Sequence, residues 1–120
     1  MSISFHVAHR DSYAVVRVEG EPTLAEFLDF VETVGAQSAG WPTDCALFDL
    51  RSVRTLKTFT DHYSVGEAVA KHLRHLRKVA SVVPADRLTR ASEKTARQSG
   101  VALSVFISEG EAMQWLVSPG

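Results

Sequence analysis

The chain has 120 residues, 45% of them hydrophobic and 22% charged, which fits one soluble globular domain over residues 1–120. No apolar run approaches the roughly 18 residues that a membrane-spanning helix needs, and a single cysteine excludes an internal disulfide. The net charge of −1 is unevenly distributed, because residues 1–50 contain two Lys/Arg against eight Asp/Glu, whereas residues 51–97 contain eleven against four.

The first third of the sequence predicts a β-hairpin followed by a helix. Residues 3–9 and 13–19 alternate apolar and polar side chains on either side of a short polar turn, which is typical of two antiparallel strands. Thr23 and Glu26 then form a capping-box signature at a helix start. The stripe that should face the core comprises Leu24, Phe27, Leu28, Val31 and Val34.

Three further strands alternate with helices in the rest of the chain. Short apolar runs predict strands buried on both faces, and the first of them should run from Cys45 to Leu50. Helices are predicted from about Asp61 to Arg77, from Asp86 to Ser99 and after Ser108. This alternation predicts an α/β fold with a mostly parallel sheet, an antiparallel N-terminal edge strand and about four helices.

Several short motifs occur in an order and spacing that resemble a known family. They are Gly20-x-x-Thr23-x-x-Glu26, Asp49-Leu50-Arg51, Arg77-Lys78-Val79-Ala80, and Phe106 followed by Glu111-Ala112-x-x-Trp115-Leu116. Together they span nearly the whole chain and resemble the SpoIIAA-like branch of the STAS domains, the fold of anti-sigma-factor antagonists and of sulfate-transporter tails. The resemblance implies a STAS-type domain that acts through protein contacts, without a cofactor.

The loop after the central strand is the first place to seek a site. Antagonists of this family have an Asp-Ser-Ser-Gly turn whose serine is phosphorylated, but the matching residues here are Lys57-Thr58-Phe59-Thr60. Ligands collect where a strand's carboxyl end meets a helix start, and nearby cations favour an anion there. We therefore expect an anion- or partner-binding loop at residues 49–61, with plain helix capping by a threonine as the alternative. Its candidate residues are Asp49, Arg51, Arg54, Lys57, Thr58 and Thr60.

A second group of cations lies on the helix predicted from Asp86 to Ser99. Four side chains fall within about a quarter of its circumference, and two of them lie in the first turns, where the helix dipole disfavours cations. We expect this face to contact a partner, a peripheral membrane or another anionic surface, and we do not expect it to bind nucleic acid. Its members are Arg87, Arg90, Lys94 and Arg97.

The sequence contains no complete catalytic or metal-binding pattern. His72 and His75 have helical spacing, but no carboxylate or thiolate lies four residues from either to complete a metal site. Cys45 is predicted to be buried, and His62 has no assigned acidic partner, so no nucleophile is indicated. Nothing in the residues names a reaction, and we expect neither a metal nor a cofactor.

Two functions of different classes stay open. The leading hypothesis is a non-enzymatic, cytoplasmic interaction domain of STAS type that acts through residues 49–61 on an unidentified protein partner. The alternative is a carrier of a small apolar or acyl ligand, which would require a cavity of about 300 Å³ or more. The acidic first helix and the basic middle of the chain also predict a homodimer that salt weakens.

Overall fold

The fold is built on one mixed sheet of five strands. The structure is a computed structural model that describes residues 3–55, 59–85, 94, 97–98 and 100–118. The strands are β1 (Ile3–His9), β2 (Ala14–Gly20), β3 (Cys45–Val53), β4 (Lys78–Val82) and β5 (Leu103–Phe106). They lie in chain order across the sheet; β1 and β2 are antiparallel and the other neighbours are parallel. The predicted α/β fold with an antiparallel N-terminal edge is confirmed.

The described residues form three helices, which cover both faces of the sheet. They are α1 (Leu24–Ser38), α2 (Phe59–His72) and α3 (Glu109–Val117). The α1 and α2 helices pack together on one face, and α3 covers β3, β4 and β5 on the other. The further predicted helix lies mostly outside the described residues, although residues 94 and 97–98 are helical. None of the described helices is long and apolar enough to cross a membrane.

The central strand β3 separates two hydrophobic cores. Cys45 and Leu47 point towards α3, whereas Ala46 and Phe48 point towards α1 and α2, and all four side chains are buried. This confirms the prediction of a strand that is apolar on both faces. Because side chains alternate along a strand, Asp49 continues the row that faces α3.

The start of α1 follows the predicted capping box. The N–H of Glu26 donates to Thr23 Oγ1 at 3.2 Å, and the N–H of Thr23 donates to Glu26 Oε1 at 2.8 Å. Two otherwise unpaired backbone donors are thereby satisfied, which fixes the first turn of the helix. Of the predicted stripe, Phe27 and the two valines, Val31 and Val34, are fully buried.

The largest differences from the predicted boundaries are at the end of β3 and the end of α2. Strand β3 continues to Val53, because Gly20 still pairs with Val53 beyond a register shift in β2, so Arg51 lies in a strand instead of a loop. Helix α2 begins at Phe59 and ends at His72, five residues before the predicted end at Arg77. The chain turns there because the N–H of Arg77 donates to the carbonyl of Asp44 at 2.6 Å, aligning the start of β4 beside β3.

Candidate functional site

Asp49 is the least exposed member of a charged cluster at the carboxyl end of β3. Its carboxylate is 12% exposed and accepts two parallel hydrogen bonds from Arg51, from Nε to Oδ1 and from Nη2 to Oδ2, each 2.9 Å long. The backbone N–H of Arg51 also donates to Oδ1 at 3.2 Å. Such fork geometry matches a guanidinium to a carboxylate and restricts the orientation of both side chains.

Arg17 on β2 and Glu109 at the start of α3 complete the cluster. Arg17 donates from Nη1 and Nη2 to the two oxygens of Glu109, at 3.1 Å each, and from Nη1 to Asp49 Oδ2 at 2.6 Å. Arg51 reaches Glu109 Oε1 from Nη2 at 2.8 Å. Each arginine side chain therefore donates two hydrogen bonds to one carboxylate and one to the other: Arg17 donates two to Glu109, and Arg51 donates two to Asp49. We call these four residues the ion network.

The ion network keeps all four groups in their charged forms. Hydrogen bonds from Arg51 lower the pKa of Asp49 despite its burial, and hydrogen bonds from Arg17 lower the pKa of Glu109. The carboxylates in turn raise the pKa of both arginines. Neither carboxyl group is held protonated near neutral pH, so the pair cannot supply a general acid there. The arrangement suits recognition of a polar partner better than proton transfer.

Three members of the ion network present their polar atoms to solvent. The side chains of Arg17, Arg51 and Glu109 are 45%, 43% and 37% exposed, and Asp49 lies beneath them. Within the part of the chain that the structure describes, the Nε of Arg17 and the Nη1 of Arg51 donate no hydrogen bond, so N–H donors remain on a surface whose side chains are already held in place.

The chain that leaves β3 is tied to the region where β2 ends. The N–H of Arg54 donates to the carbonyl of Gly20 at 3.0 Å, and the hydroxyl of Thr55 donates to the carbonyl of Pro22 at 2.6 Å. The predicted loop is therefore fixed as far as residue 55. Its Arg54 lines an open depression of about 480 Å³ together with Glu19 and Glu21.

The structure places some of the predicted loop residues together and leaves others undescribed. Asp49 and Arg51 belong to the ion network, and Thr60 is exposed in the first turn of α2. Lys57 and Thr58 lie outside the described residues. The anion- or partner-binding role of the whole loop therefore stays a prediction.

The predicted basic face is described in part. Arg87 and Arg90 lie outside the described residues, and Lys94 is an exposed helical residue. Arg97 donates from Nε to the carbonyl of Leu103 at 3.0 Å and from Nη2 to Ser104 Oγ at 2.5 Å. This arginine thus links its helical segment to β5, and the contact role of the face stays a prediction.

Sequence reasoning missed two of the four network residues. Arg17 interrupts the apolar strand β2, and Glu109 is the first residue of α3 after its N-cap, Ser108. A cation within a strand and a carboxylate at a helix start are both noticeable signals. They are 92 residues apart in the chain, however, so only the tertiary fold reveals that they meet.

A comparison with protein families shows which family the chain belongs to. A family model described as SpoIIAA-like matches residues 13–117. This chain belongs to the SpoIIAA-like family. No curated protein matches it.

Two solved structures have the same fold as this SpoIIAA-like chain. One is an anti-sigma factor antagonist from Mycobacterium paratuberculosis, with 18% identity, a TM-score of 0.66 and coverage of 98% of this chain and 96% of that one. The other is an uncharacterized protein of the DUF3478 family, with a SpoIIAA-like fold, from Shewanella loihica PV-4. It has 18% identity and a TM-score of 0.53, and the match covers 96% of this chain and 94% of that one. At this identity the likeness shows the fold.

Two depressions adjoin the ion network of this SpoIIAA-like domain, and both are open to solvent. One of about 420 Å³ is lined by polar side chains, including His6, Arg17 and Glu19, and also by the apolar side chains of Phe5 and Val18. The one beside Arg54 is lined mostly by polar residues. A carrier encloses most of its ligand's surface between apolar walls. Neither open depression does so, and the carrier hypothesis gains no support from either.

The two histidines at helical spacing have separate environments. His75 Nε2 lies 2.7 Å from the hydroxyl of Ser38, which also donates to the carbonyl of Gly35 at 2.9 Å. The backbone of His72 lies against Gly35 on α1. Within the described ranges, no three His, Cys, Asp or Glu side chains come together as a metal site would require.

Proposed function

We propose that this chain is a non-enzymatic regulatory domain of STAS type that binds a protein partner through the surface formed by residues 49–61 and the start of α3. The ion network is the observation that carries the proposal. It combines side chains from β2, β3 and α3 in one half-exposed patch beside the predicted loop. Membership of the SpoIIAA-like family and the shared fold of an anti-sigma factor antagonist support this choice.

The physical advantage of this patch is preorganisation. A free arginine loses much side-chain entropy when a partner immobilises it, and that loss subtracts from the binding free energy. Arg17 and Arg51 are already held by two carboxylates, yet each keeps an N–H donor directed to no described residue. A carbonyl or carboxylate of a partner can therefore be bound with little further ordering.

The loop is proposed to add an anion site to this patch. Thr60 and the N–H groups in the first turn of α2 favour negative charge, and Thr58 is the residue that would carry a phosphoryl group. Arg54 and Lys57 are the cations proposed to stabilise such an anion.

The partner, the compartment and self-association are further parts of the proposal. We place the domain in the cytoplasm because its one cysteine, Cys45, is buried and free. A salt-weakened homodimer is proposed from the segregated charge, and an anionic surface contact is proposed for the face that contains Lys94 and Arg97.

The test is affinity capture from the native host with three forms of the tagged protein, compared by quantitative mass spectrometry. Arg51→Ala removes one of the two exposed guanidinium groups of the ion network, whereas Arg10→Ala removes a guanidinium from the β1–β2 turn, at the opposite end of β2. We expect a partner that is retained by wild type and Arg10→Ala and lost by Arg51→Ala. Equal recovery of every protein with all three forms would refute the proposed surface.

Thermal unfolding of each form controls for misfolding. The side chain of Arg51 is 43% exposed, and the free-energy contribution of exposed ion pairs is commonly below about 1 kcal/mol. We therefore expect Arg51→Ala to remain folded, so that a loss of partner binding reports on the surface itself.

A further inference from the structure

The edge strand β1 has an outer side without a backbone partner among the described residues. Natural proteins protect such edges with lysines, prolines, bulges or short strands, because an open edge pairs readily with another chain. The seven residues of β1, Ile3–His9, contain no Lys, Pro or Gly, and their pairing with β2 is continuous. At about 3.3 Å per residue the edge is roughly 23 Å long, and the smallest dimension of the molecule is 26 Å.

The hairpin determines which backbone groups of β1 point outward. The N–H of Arg10 donates to the carbonyl of Tyr13 at 2.8 Å, so these two residues form a hydrogen-bonded pair. Hydrogen-bonded and non-hydrogen-bonded pairs alternate along an antiparallel ladder. His6, which pairs with Arg17, therefore directs its backbone groups towards β2. The residues that direct theirs outward are Ile3, Phe5, Val7 and His9.

These outward groups are self-complementary. If a second copy lies antiparallel with a two-fold axis at His6, Phe5 of each copy faces Val7 of the other and Ile3 faces His9. All four outward residues then exchange both hydrogen bonds with the second copy, giving about eight bonds between the chains. A register displaced by two residues would leave outward groups unpaired at the ends.

The side chains agree with the same register. On the face that α1 covers, Phe5 and Val7 are half-buried and already pack against the core, so each would cover the exposed part of the other. On the opposite face Ser4 would lie beside Ala8, and His6 would lie beside His6 of the second copy. The central apolar pair, Phe5 and Val7, therefore meets across the interface, and no Lys, Arg, Asp or Glu side chain of β1 is opposed to another.

We propose that two copies of this chain associate by antiparallel pairing of their β1 strands about His6, which joins their sheets into one of ten strands. This interface adjoins the proposed partner-binding surface, because His6 pairs with Arg17 of the ion network and lines the same depression. It also differs in chemistry from a dimer held by complementary charge, because backbone hydrogen bonds and apolar contacts are not screened by salt. The β1 dimer should persist at high salt, whereas the homodimer proposed from segregated charge should dissociate, so the salt dependence of the dimer decides between the two.

Substitutions that place a charge at residue 6 test this pairing directly, because only a residue on the two-fold axis faces the same residue of the second copy. His6→Lys and His6→Glu each place two like charges directly opposite one another, and each should weaken the dimer about fivefold or more. An equimolar mixture of the two variants should recover a heterodimer, since a lysine then faces a glutamate. Ser4→Lys is the matched control, because its lysine would face Ala8 of the second copy.

Sedimentation velocity at low and at high salt provides the measurement. We expect wild type and Ser4→Lys to dimerise at both salt concentrations, the two His6 variants to dissociate, and their mixture to associate again. Recovery in the mixture would also show that both variants are folded. A wild-type monomer, a dimer that high salt dissociates, or a His6→Lys protein that dimerises like wild type would overturn the proposal.

Discussion

Lys78 and Trp115 meet where α3 ends: the Nζ of Lys78 donates to the carbonyl of Trp115 at 2.8 Å and lies 5.1 Å from the centroid of its indole ring. The same ammonium donates to the carbonyl and the hydroxyl of Ser118, at 2.8 and 3.1 Å. A residue that is only 3% exposed thus adds a charged donor to the carbonyls at a helix end, where the Trp115 carbonyl also accepts from the N–H and hydroxyl of Ser118. Its positive charge also complements the helix dipole.

Replacing Lys78 should destabilise the domain. Lys78→Met keeps an aliphatic side chain of similar length but removes the ammonium that donates to the Ser118 carbonyl and, together with the N–H and hydroxyl of Ser118, to the Trp115 carbonyl, so we expect a loss of about 1 to 2 kcal/mol in the free energy of unfolding. Urea denaturation followed by circular dichroism measures it. Lys71→Met, an exposed position at the end of α2, should change stability by less than about 0.5 kcal/mol. Equal effects at the two positions would contradict the proposed role of the buried ammonium.

The ion network should make stability depend on acidic pH. The pKa values of Asp49 and Glu109 are lowered in the folded protein from ordinary values of 3.8 and 4.5. As pH falls below about 5, the unfolded chain binds protons first, so the stabilisation present at neutral pH is progressively lost. Urea unfolding from pH 7 to pH 3 should show this decline.

The control for the acid dependence replaces carboxylates inside and outside the ion network. Asp49→Asn/Glu109→Gln should be less stable at neutral pH and should lose less stability on acidification than wild type. Glu32→Gln, on the exposed side of α1, should keep the wild-type dependence. Identical slopes for wild type and the double variant would show that other carboxylates cause the decline.

Gly35 sets the separation of α1 and α2. A Cβ built at this position would lie 2.6 Å from the carbonyl oxygen and 2.8 Å from the Cβ of His72, distances that real Cβ atoms do not tolerate. Because the closest neighbour is backbone, Gly35→Ala should force the helices apart and cost about 1 to 3 kcal/mol.

Gly110 on α3 provides the matched control for Gly35. A Cβ there would meet only Ser108 Oγ, at 3.7 Å, which is ordinary van der Waals contact. Gly110→Ala should therefore be neutral or stabilising by up to about 1 kcal/mol, since alanine reduces the entropy of the unfolded chain. Differential scanning calorimetry of both variants measures the contrast. A Gly35→Ala protein as stable as wild type would show that the helices adjust freely.

The loop after β3 should bind phosphate or sulfate. Unpaired N–H groups at a helix start contribute about 0.3 to 1 kcal/mol for an exposed anion, so measurable affinity requires Arg54 or Lys57 to add charge-assisted hydrogen bonds. Titration followed by amide chemical shifts should show changes confined to residues 51–62. These changes should disappear in Arg54→Ala/Lys57→Ala, and uniform or absent shifts would leave the loop as a simple connection.

Local patterns were sufficient to predict most of the fold. The apolar runs beginning at Cys45 and Val79 predicted the central strands, because burial on both faces requires unbroken hydrophobic sequence. The Thr23 capping box predicted the start of α1 for a similarly local reason. The closing motif with Ala112, Trp115 and Leu116 lies on α3, where Ala112 and Leu116 are buried and Trp115 is partly buried against the same core.

The ion network could not be predicted from the sequence, because it depends on contacts between residues that are far apart in the chain. The end of β3 is set by its register with β2, so the periodicity that stopped at Leu50 could not place Arg51 in a strand. No local pattern singles out Arg17, since its carboxylate partners lie 32 and 92 residues away. The ion network follows from the order of the strands and from where α3 docks.

The strands lie across the sheet in the order in which they are synthesised, and this order affects how the chain can fold during synthesis. Every strand after the first is synthesised after its neighbour in the sheet, and synthesis proceeds at about 5 to 20 residues per second. The hairpin can therefore act as a template for β3, which can do the same for β4. Glu109 is translated seconds after Arg17, so the two arginines of the nascent chain have only Asp49 between them until α3 arrives. Docking of that helix neutralises the surplus positive charge at the carboxyl edge of the sheet.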